Sequence, residues 1–210
     1  MAADYGSGHL VTRVEDRFDF VIFSPMRPAP EPPYSLKMRT DILHKANLTS
    51  FGIVFGGNKG EMCEVTRWNA SSPEGCFSHY YRLNVIWGGY LKAGLARIDG
   101  HEGIADGADG IGENWGYSAL DWWEARVEDW NEWEVRVYDN GFEAYVNGHR
   151  IAGRGDTTYI RDPYYGIFSS TNEYNGARFV HDYFYVEPLD PDAKMQTVVD
   201  EMPSLSDHRD

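Results

Sequence analysis

The chain has 210 residues, of which 42% are hydrophobic and 15% aromatic, which is enough apolar material for one domain with a sizeable core. Its 19 Lys and Arg against 33 Asp and Glu give a formal net charge of -14, and such a surface repels nucleic acid and anionic lipid. No apolar run approaches the roughly 18 residues of a membrane span, and the N-terminus as given lacks a signal-peptide pattern.

Short apolar and alternating segments begin early in the chain. Residues 19–24 form an apolar run, and the five prolines within 25–33 then exclude a helix or a central strand. Residues 36–43 alternate apolar with polar side chains, which predicts a strand with one buried face. Residues 51–55 are predicted as the next strand, closed by a pair of glycines.

The two cysteines of the chain, Cys63 and Cys76, flank a loop rich in turn-forming residues. An isolated local pair is compatible with a disulfide in an exported protein, and two buried free thiols are the alternative. The sequence leaves both interpretations open.

Glycine-containing turns predict β-hairpins in the middle of the chain. Segments 79–87 and 90–98 flank a Gly-Gly pair. Within 133–146, the pair Asn140-Gly141 predicts a type I′ turn, because both central residues of that turn need positive φ. A second Asn-Gly pair follows at once, so the hairpin continues into a third short strand.

Residues 99–131 form the longest connection, a Gly- and Asp-rich loop followed by an acidic, aromatic stretch that holds four of the seven tryptophans. Connections of this length are usually functional or disordered, and the tryptophans argue against disorder. Further strands are predicted at 165–169 and 179–186. The stretch 190–210 loses aromatic residues and gains charge, which indicates a tail or linker.

About ten short strands with hardly a helical period are typical of an all-β fold. We predict a two-sheet antiparallel β-sandwich of the jelly-roll type. Residues 1–189 would form this single domain, and residues 190–210 a C-terminal tail or linker.

The order of these segments resembles the concanavalin A-like lectin/glucanase superfamily, especially its laminin-G-like and DUF1080-like bacterial extracellular branches. The resemblance covers roughly residues 18–189 and is carried by segments 50–57, 79–95, 131–148, 164–170 and 177–186. It implies two curved sheets packed face to face, with ligands often bound on the concave sheet or its rim loops. It also implies an extracellular or cell-surface location.

The catalytic branches of the superfamily match poorly. The E-x-D-x-x-E string that the resemblance to family 16 glucanases would require does not occur, and the acidic run 128–134 does not replace it. Residues 90–94 look like the Y-F-K-A-G string of alginate-lyase-type jelly rolls, but the accompanying Q-x-H string is missing. We predict no catalytic residue.

Three functions fit these observations. The leading hypothesis is non-catalytic carbohydrate binding by an extracellular domain, with a neutral poly- or oligosaccharide as partner. The second is a glycoside hydrolase or polysaccharide lyase with an unfamiliar site. The third is a structural subunit of a filament, capsid or surface layer, which would associate with copies of itself.

A pyranose ring packs its apolar face on an aromatic ring, while its hydroxyls need acidic or amide partners. The acidic, aromatic stretch and two neighbouring strands offer both. The alternatives are tryptophans that fill the core and charged residues on the wet side of a sheet. The predicted ligand-binding residues are Trp115, Tyr117, Asp121, Trp122, Trp123, Glu124, Trp130, Arg82 and Lys92.

Three acidic residues, Asp99, Asp106 and Asp109, have the oxygen chemistry that calcium prefers. A structural calcium ion would bind them, and a solvated acidic loop is the alternative. We predict no other cofactor.

Overall fold

The computed structural model describes residues 2–4, 9–14, 20–25, 27–44, 49–58, 77, 79–100, 111–121, 123–126, 129–171 and 176–196. These residues form thirteen β-strands and no helix, so the predicted all-β class is confirmed. Within the same ranges, nothing has the helical length and apolar character needed to cross a membrane.

The strands pair into two antiparallel sheets, as the sequence predicts. In chain order they are β1 (Ala2–Asp4), β2 (Leu10–Val14), β3 (Phe20–Phe23), β4 (Tyr34–His44), β5 (Thr49–Gly57), β6 (Tyr80–Trp87), β7 (Leu91–Gly100), β8 (Ile111–Ala119), β9 (Asn131–Tyr138), β10 (Gly141–Val146), β11 (His149–Arg154), β12 (Tyr164–Thr171) and β13 (Ala177–Pro188). The seven-stranded sheet has the order β1-β2-β13-β4-β9-β10-β11, and the six-stranded sheet the order β3-β12-β5-β6-β7-β8.

The core lies between the two sheets and is rich in aromatic rings. Trp133 of β9 is fully buried and meets Phe51 of β5 edge-on, with 5.6 Å between ring centroids. Phe142 of β10 likewise meets Phe55 of β5 at 5.0 Å. Side chains alternate along each strand, so the residues next to these core residues in the sequence point outward from the sandwich.

The hairpins form where predicted, but the prediction of a type I′ turn at Asn140-Gly141 is wrong. Gly141 pairs with Tyr138, so Asp139 and Asn140 form the two-residue turn. Gly141 alone has a positive φ there, at 141°. A turn with negative φ at both central residues favours glycine at the position after them, and this rule describes the turn observed.

The second Asn-Gly pair does form a type I′ turn. Asn147 and Gly148 lie between the paired residues Val146 and His149. Their φ angles are 49° and 81°, and positive φ at both central positions defines this turn type.

The predicted long connection at 99–131 contains a strand. β8 pairs with β7 along Ile111–Ala119, and the pairing register shifts between Gly94 and Ala96. Two glycines and this register shift interrupt the alternation of β8, and so conceal the strand in the sequence.

One polar cluster interrupts the core and joins the two sheets. His181 of β13 is almost fully buried, and its Nδ1 and Nε2 lie 2.8 Å and 3.2 Å from the hydroxyl oxygens of Thr40 and Thr12. Thr12 in turn lies 2.9 Å from the hydroxyl of Ser169 on the opposite sheet. Burial lowers the pKa of His181 to about 3, so the imidazole is neutral at physiological pH.

Residues on both sides of the predicted start of the C-terminal tail contact the sandwich. The N–H of Leu189 donates to the carbonyl of Pro33 at 3.0 Å. Met195 is buried, and its N–H donates to Oδ1 of Asn140 at 3.4 Å. The proposed boundary at residue 189 stays a prediction.

Candidate functional site

The outer side of the seven-stranded sheet carries one continuous row of polar and aromatic side chains. Tyr185 of β13 pairs with Lys37 of β4, and Lys37 pairs with Glu134 of β9. Glu134 pairs in turn with Tyr145 of β10, so the row crosses four strands. We name this surface the seven-stranded face; its members are Ser35, Lys37, Arg39, Trp130, Glu132, Glu134, Arg136, Glu143, Tyr145, Arg150, Asp182, Tyr183, Tyr185 and Glu187.

Two tyrosines of β13 stand side by side on this face. The rings of Tyr183 and Tyr185 are 5.4 Å apart at 44°, and Tyr185 is 40% exposed. The Tyr183 hydroxyl donates to the carboxylate of Glu132. Beside Tyr185, Nζ of Lys37 lies 2.7 Å from Oε1 of Glu187. The two rings are therefore flanked by groups that form hydrogen bonds.

A third aromatic ring extends the seven-stranded face toward the start of β9. The Arg39 guanidinium lies over the ring of Trp130, 5.2 Å from its centroid. Arg39 also donates from Nη1 to Oδ2 of Asp182 at 2.9 Å. The ring of His9 is 5.7 Å from that of Trp130. The cation is thus fixed between an aromatic face and a carboxylate.

Glu134 lies beside Lys37 on the seven-stranded face and is buried. Its Oε1 accepts hydrogen bonds from Oγ of Ser35 at 2.7 Å and Nε of Arg136 at 2.8 Å. Burial raises the pKa of Glu134, but the hydrogen bonds from Arg136 and Ser35 outweigh it and hold the pKa below its usual value. The carboxylate is therefore ionised at neutral pH.

Glu143 is the most deeply buried carboxylate of the seven-stranded face, with no exposed surface. It accepts hydrogen bonds from the hydroxyls of Tyr138 at 3.1 Å and Tyr145 at 2.8 Å, and from Nε of Arg150 at 2.8 Å. A buried charge needs such partners to be tolerated. Glu143 therefore orients its neighbours and does not meet a ligand itself.

The seven-stranded face is close to neutral, although the chain carries a net charge of -14. Its members include five carboxylates against four cations, a formal excess of one negative charge. The carboxylates are Glu132, Glu134, Glu143, Asp182 and Glu187, and the cations are Lys37, Arg39, Arg136 and Arg150. The seven-stranded face therefore carries much less net negative charge than the rest of the chain.

A second aromatic surface lies at one end of the sandwich, where the β6–β7, β8–β9 and β10–β11 connections meet. We name it the loop end and define it by Tyr90, Asp121, Trp123, Glu124, Asn147 and His149. The Asn147 side chain fastens it, because Nδ2 donates to the carbonyl of Glu124 at 2.7 Å. Oδ1 of Asn147 accepts from the N–H of Glu132 at 2.9 Å. Nδ2 also donates to Oδ1 of Asn131, at 3.0 Å.

The ligand-binding residues predicted from the sequence fall in four separate places. Asp121, Trp123 and Glu124 come together at the loop end. Trp130 belongs to the seven-stranded face. The structure does not bring these residues together into a single binding site.

Trp115 and Tyr117 lie on opposite sides of β8. The Trp115 ring packs inward against Tyr81 and Phe142, with centroids 6.2 Å and 5.9 Å away. The Tyr117 hydroxyl accepts a hydrogen bond from Nδ2 of Asn84 at 2.7 Å, on the outer side of the six-stranded sheet.

Arg82 and Lys92 also point from the outer side of the six-stranded sheet. Arg82 is almost fully buried and lies 6.0 Å from the ring of Phe168, whereas Nζ of Lys92 is 4.6 Å from the ring of Tyr90. Lys92 therefore borders the loop end, whereas Arg82 is buried beside Phe168 on the outer side of the six-stranded sheet.

Asp99, one of the three predicted calcium ligands, is engaged in an ion pair. Oδ1 accepts from Nε of Arg97 at 2.8 Å and from the hydroxyl of Tyr159 at 2.9 Å. The hydrogen bond from Arg97 lowers the pKa of Asp99. Across the described ranges, no three His, Cys, Asp or Glu side chains meet as a metal site.

Five predicted residues lie outside the described residues. They are Trp122, the calcium candidates Asp106 and Asp109, and the two cysteines Cys63 and Cys76. The calcium site and the disulfide stay predictions.

Most of the seven-stranded face was not predicted from the sequence. Residues 36–43 and 179–186 were predicted as strands, but no functional role was predicted for Lys37, Arg39, Tyr183 or Tyr185. A signal was present, because Tyr183 and Tyr185 are two residues apart and so share one face of their strand. Which side of the strand faces away from the core follows only from the order of the strands in the sheet.

No protein-family model matches the chain, and no curated protein does either. Solved structures share its fold. A legume lectin-like domain from Entamoeba histolytica superposes with a TM-score of 0.58 at 11% identity, over 90% of this chain and 87% of that one. The carbohydrate recognition domain of Emp46p in its potassium-bound form gives 0.58 at 8% identity, over 88% and 84%.

A larger protein also contains the fold. The GH43 protein BlXynB from Bacillus licheniformis matches with a TM-score of 0.57 at 15% identity, over 88% of this chain. The chain spans only about a third of that protein's length, 34%. Likenesses at these identities show the fold alone. They confirm the predicted fold, a lectin-like β-sandwich.

Proposed function

We propose that the chain binds a neutral oligosaccharide or polysaccharide on its seven-stranded face, without cleaving it. The observation that carries the proposal is the adjacent pair of tyrosine rings, Tyr183 and Tyr185, set among fixed ion pairs on the outer side of the sheet. Trp130 supplies a third ring at the edge of the same surface.

The chemistry of this surface suits a sugar. The apolar side of a pyranose packs on an aromatic ring, and its hydroxyls both donate and accept hydrogen bonds. Lys37 and Arg39 offer donors beside the rings, while Glu187 and Asp182 offer acceptors. Because these groups are already paired, they lose little freedom when a ligand arrives.

The near-neutral balance of the face supports an uncharged ligand. An acidic polysaccharide would meet the overall charge of -14 without a surplus of cations to offset it. The fold is compatible with this role, since a lectin-like domain and a carbohydrate recognition domain share it. A glycan ligand also agrees with the extracellular or cell-surface location that we expect from the sequence.

The arrangement of carboxylates favours binding over hydrolysis. A glycosidase needs two accessible carboxyl groups about 5 to 10 Å apart, one of them able to reach the glycosidic bond. Glu143 has no exposed surface, and Glu134 is bound by Ser35 and Arg136. The more exposed Glu187 and Asp182 are held in ion pairs with Lys37 and Arg39. Release of soluble oligosaccharides from a polysaccharide panel would overturn the non-cleaving part of the proposal.

Tyr185→Ala is expected to weaken binding about 10-fold or more, because it removes the exposed ring of the tyrosine pair on which the sugar would pack. The variant should keep its thermal stability, since the side chain is 40% exposed. The ligand is chosen from cellohexaose, xylohexaose, mannohexaose and laminarihexaose, with oligogalacturonate as an acidic oligosaccharide that should not bind. Affinity is measured by isothermal titration calorimetry.

Leu43→Ala is the matched control, because Leu43 is 52% exposed and belongs to neither aromatic surface. It should bind like the unaltered protein. Binding of none of the neutral hexaoses, or equal affinity of Tyr185→Ala and the unaltered protein, would contradict the proposal.

A further inference from the structure

The loop end exposes two large aromatic side chains that the seven-stranded face does not use. Trp123 is 52% exposed and Tyr90 is 48% exposed. Aromatic residues on exposed surfaces are enriched where proteins contact partners. The loop end therefore has the composition of a contact surface in its own right.

The strand pairing and one side-chain hydrogen bond place Asp121 next to Tyr90 and Trp123. The N–H of Leu120 donates to the carbonyl of Leu91 at 3.0 Å, continuing the antiparallel pairing of β7 with β8. This register places Asp121 beside Tyr90. Oδ2 of Asp121 accepts a hydrogen bond from Nε1 of Trp123 at 3.1 Å.

The Trp123 ring is held in place before any ligand arrives. The Trp123 ring stands perpendicular to that of His149, with centroids 5.0 Å apart. The Glu124 carboxylate accepts from the N–H of Asp121 at 2.8 Å, which closes the turn. Together with the Asn147 hydrogen bonds, these contacts fix the loop and reduce the entropy cost of binding.

The acidic side chains of the loop end disfavour an anionic ligand. Asp121 and Glu124 are acidic, so an anionic lipid or an acidic peptide is repelled. Asp121 is exposed and engages one oxygen with Trp123. Its carboxylate accepts hydrogen bonds from hydroxyl donors, and an uncharged pyranose presents such hydroxyls around an apolar ring face.

We infer that the loop end is a second binding site for a neutral sugar, in which Tyr90 and Trp123 hold the ring and Asp121 accepts its hydroxyls. This site is independent of the seven-stranded face and shares with the proposed function only the class of ligand. A chain with two such sites holds one polysaccharide at two places, which raises its apparent affinity through effective concentration.

The test is the stoichiometry of calorimetric titrations with cellotriose, xylotriose and mannotriose, which are too short to span both surfaces. We expect two sites for the unaltered protein, one for Trp123→Ala, one for Tyr185→Ala and none for the double variant. At the lost site the affinity should fall about 10-fold or more. Leu43→Ala, which lies at the same end of the sandwich, should keep both sites.

The outcomes separate the two proposals. If Tyr185→Ala abolishes all binding and Trp123→Ala changes nothing, the loop-end site is overturned and the seven-stranded face stands. If Trp123→Ala abolishes all binding and Tyr185→Ala changes nothing, sugar binding on the seven-stranded face is overturned and the loop-end site stands. Absence of trisaccharide binding to the unaltered protein overturns the loop-end site, while hexaose binding still decides the seven-stranded face.

Discussion

Trp133→Ala is expected to lower the free energy of unfolding by about 3 to 5 kcal/mol, the usual cost of removing a buried tryptophan from a close-packed core. Trp133 is fully buried and meets Phe51 of the opposite sheet edge-on. Its removal therefore opens a cavity at the junction of the two sheets. Urea unfolding followed by circular dichroism measures the change.

Trp123→Ala is the matched control for that measurement. It removes the same side chain from a site where it is 52% exposed, so the free energy of unfolding should change by no more than about 0.5 kcal/mol. Equal losses in the two variants would mean that the inter-sheet core does not hold the sandwich together.

The neutral, buried His181 is expected to make the protein sensitive to mild acid. Its pKa is about 3 in the folded chain and near 6.5 in the unfolded chain, so the unfolded chain alone binds the proton in between. The contribution of His181 to the free energy of unfolding is fully present above pH 6.5 and is lost progressively as the pH drops toward 3. The loss approaches about 2 to 3 kcal/mol between pH 7 and pH 4.5.

The variant His181→Gln isolates this effect from that of the carboxylates. Glutamine keeps a donor and an acceptor for Thr12 and Thr40 but does not titrate. The stability difference between the two proteins should therefore shrink, or change sign, as the pH falls from 7 to 4.5. Parallel pH profiles would show that His181 is not buried in its neutral form.

The fold followed from the sequence because its main signals are local. The alternation in residues 36–43 and 133–146 predicts strands with one buried face, and both segments form strands of the seven-stranded sheet. β8 escaped prediction, since its glycines and shifted register break the alternation.

The two Asn-Gly pairs show the limit of a local turn rule. The sequence pattern is the same at Asn140 and Asn147, but only Asn147 has positive φ. Asn147 is fixed by bonds to Glu132 and Glu124, and Asn140 contacts Met195. Cross-strand register and tertiary contacts select the turn type, and neither is visible in a dipeptide.

The candidate site was harder to predict because it depends on sheet order. Tyr185 comes near the end of the described chain and Lys37 near its beginning, and only the pairing of β13 with β4 makes them neighbours. Residues close in sequence were found more easily. Asp121, Trp123 and Glu124 do form one local cluster, whereas Trp115 packs into the core.

The most direct test of glycan binding on the seven-stranded face is a ¹H–¹⁵N NMR titration with the neutral hexaose that binds best. We expect the backbone amide signals of Lys37, Arg39, Tyr183 and Tyr185 to shift in a saturable way, and those around Tyr117 on the six-stranded sheet to stay in place. Saturable shifts confined to the six-stranded sheet, or no shifts in β4 and β13, would contradict the account.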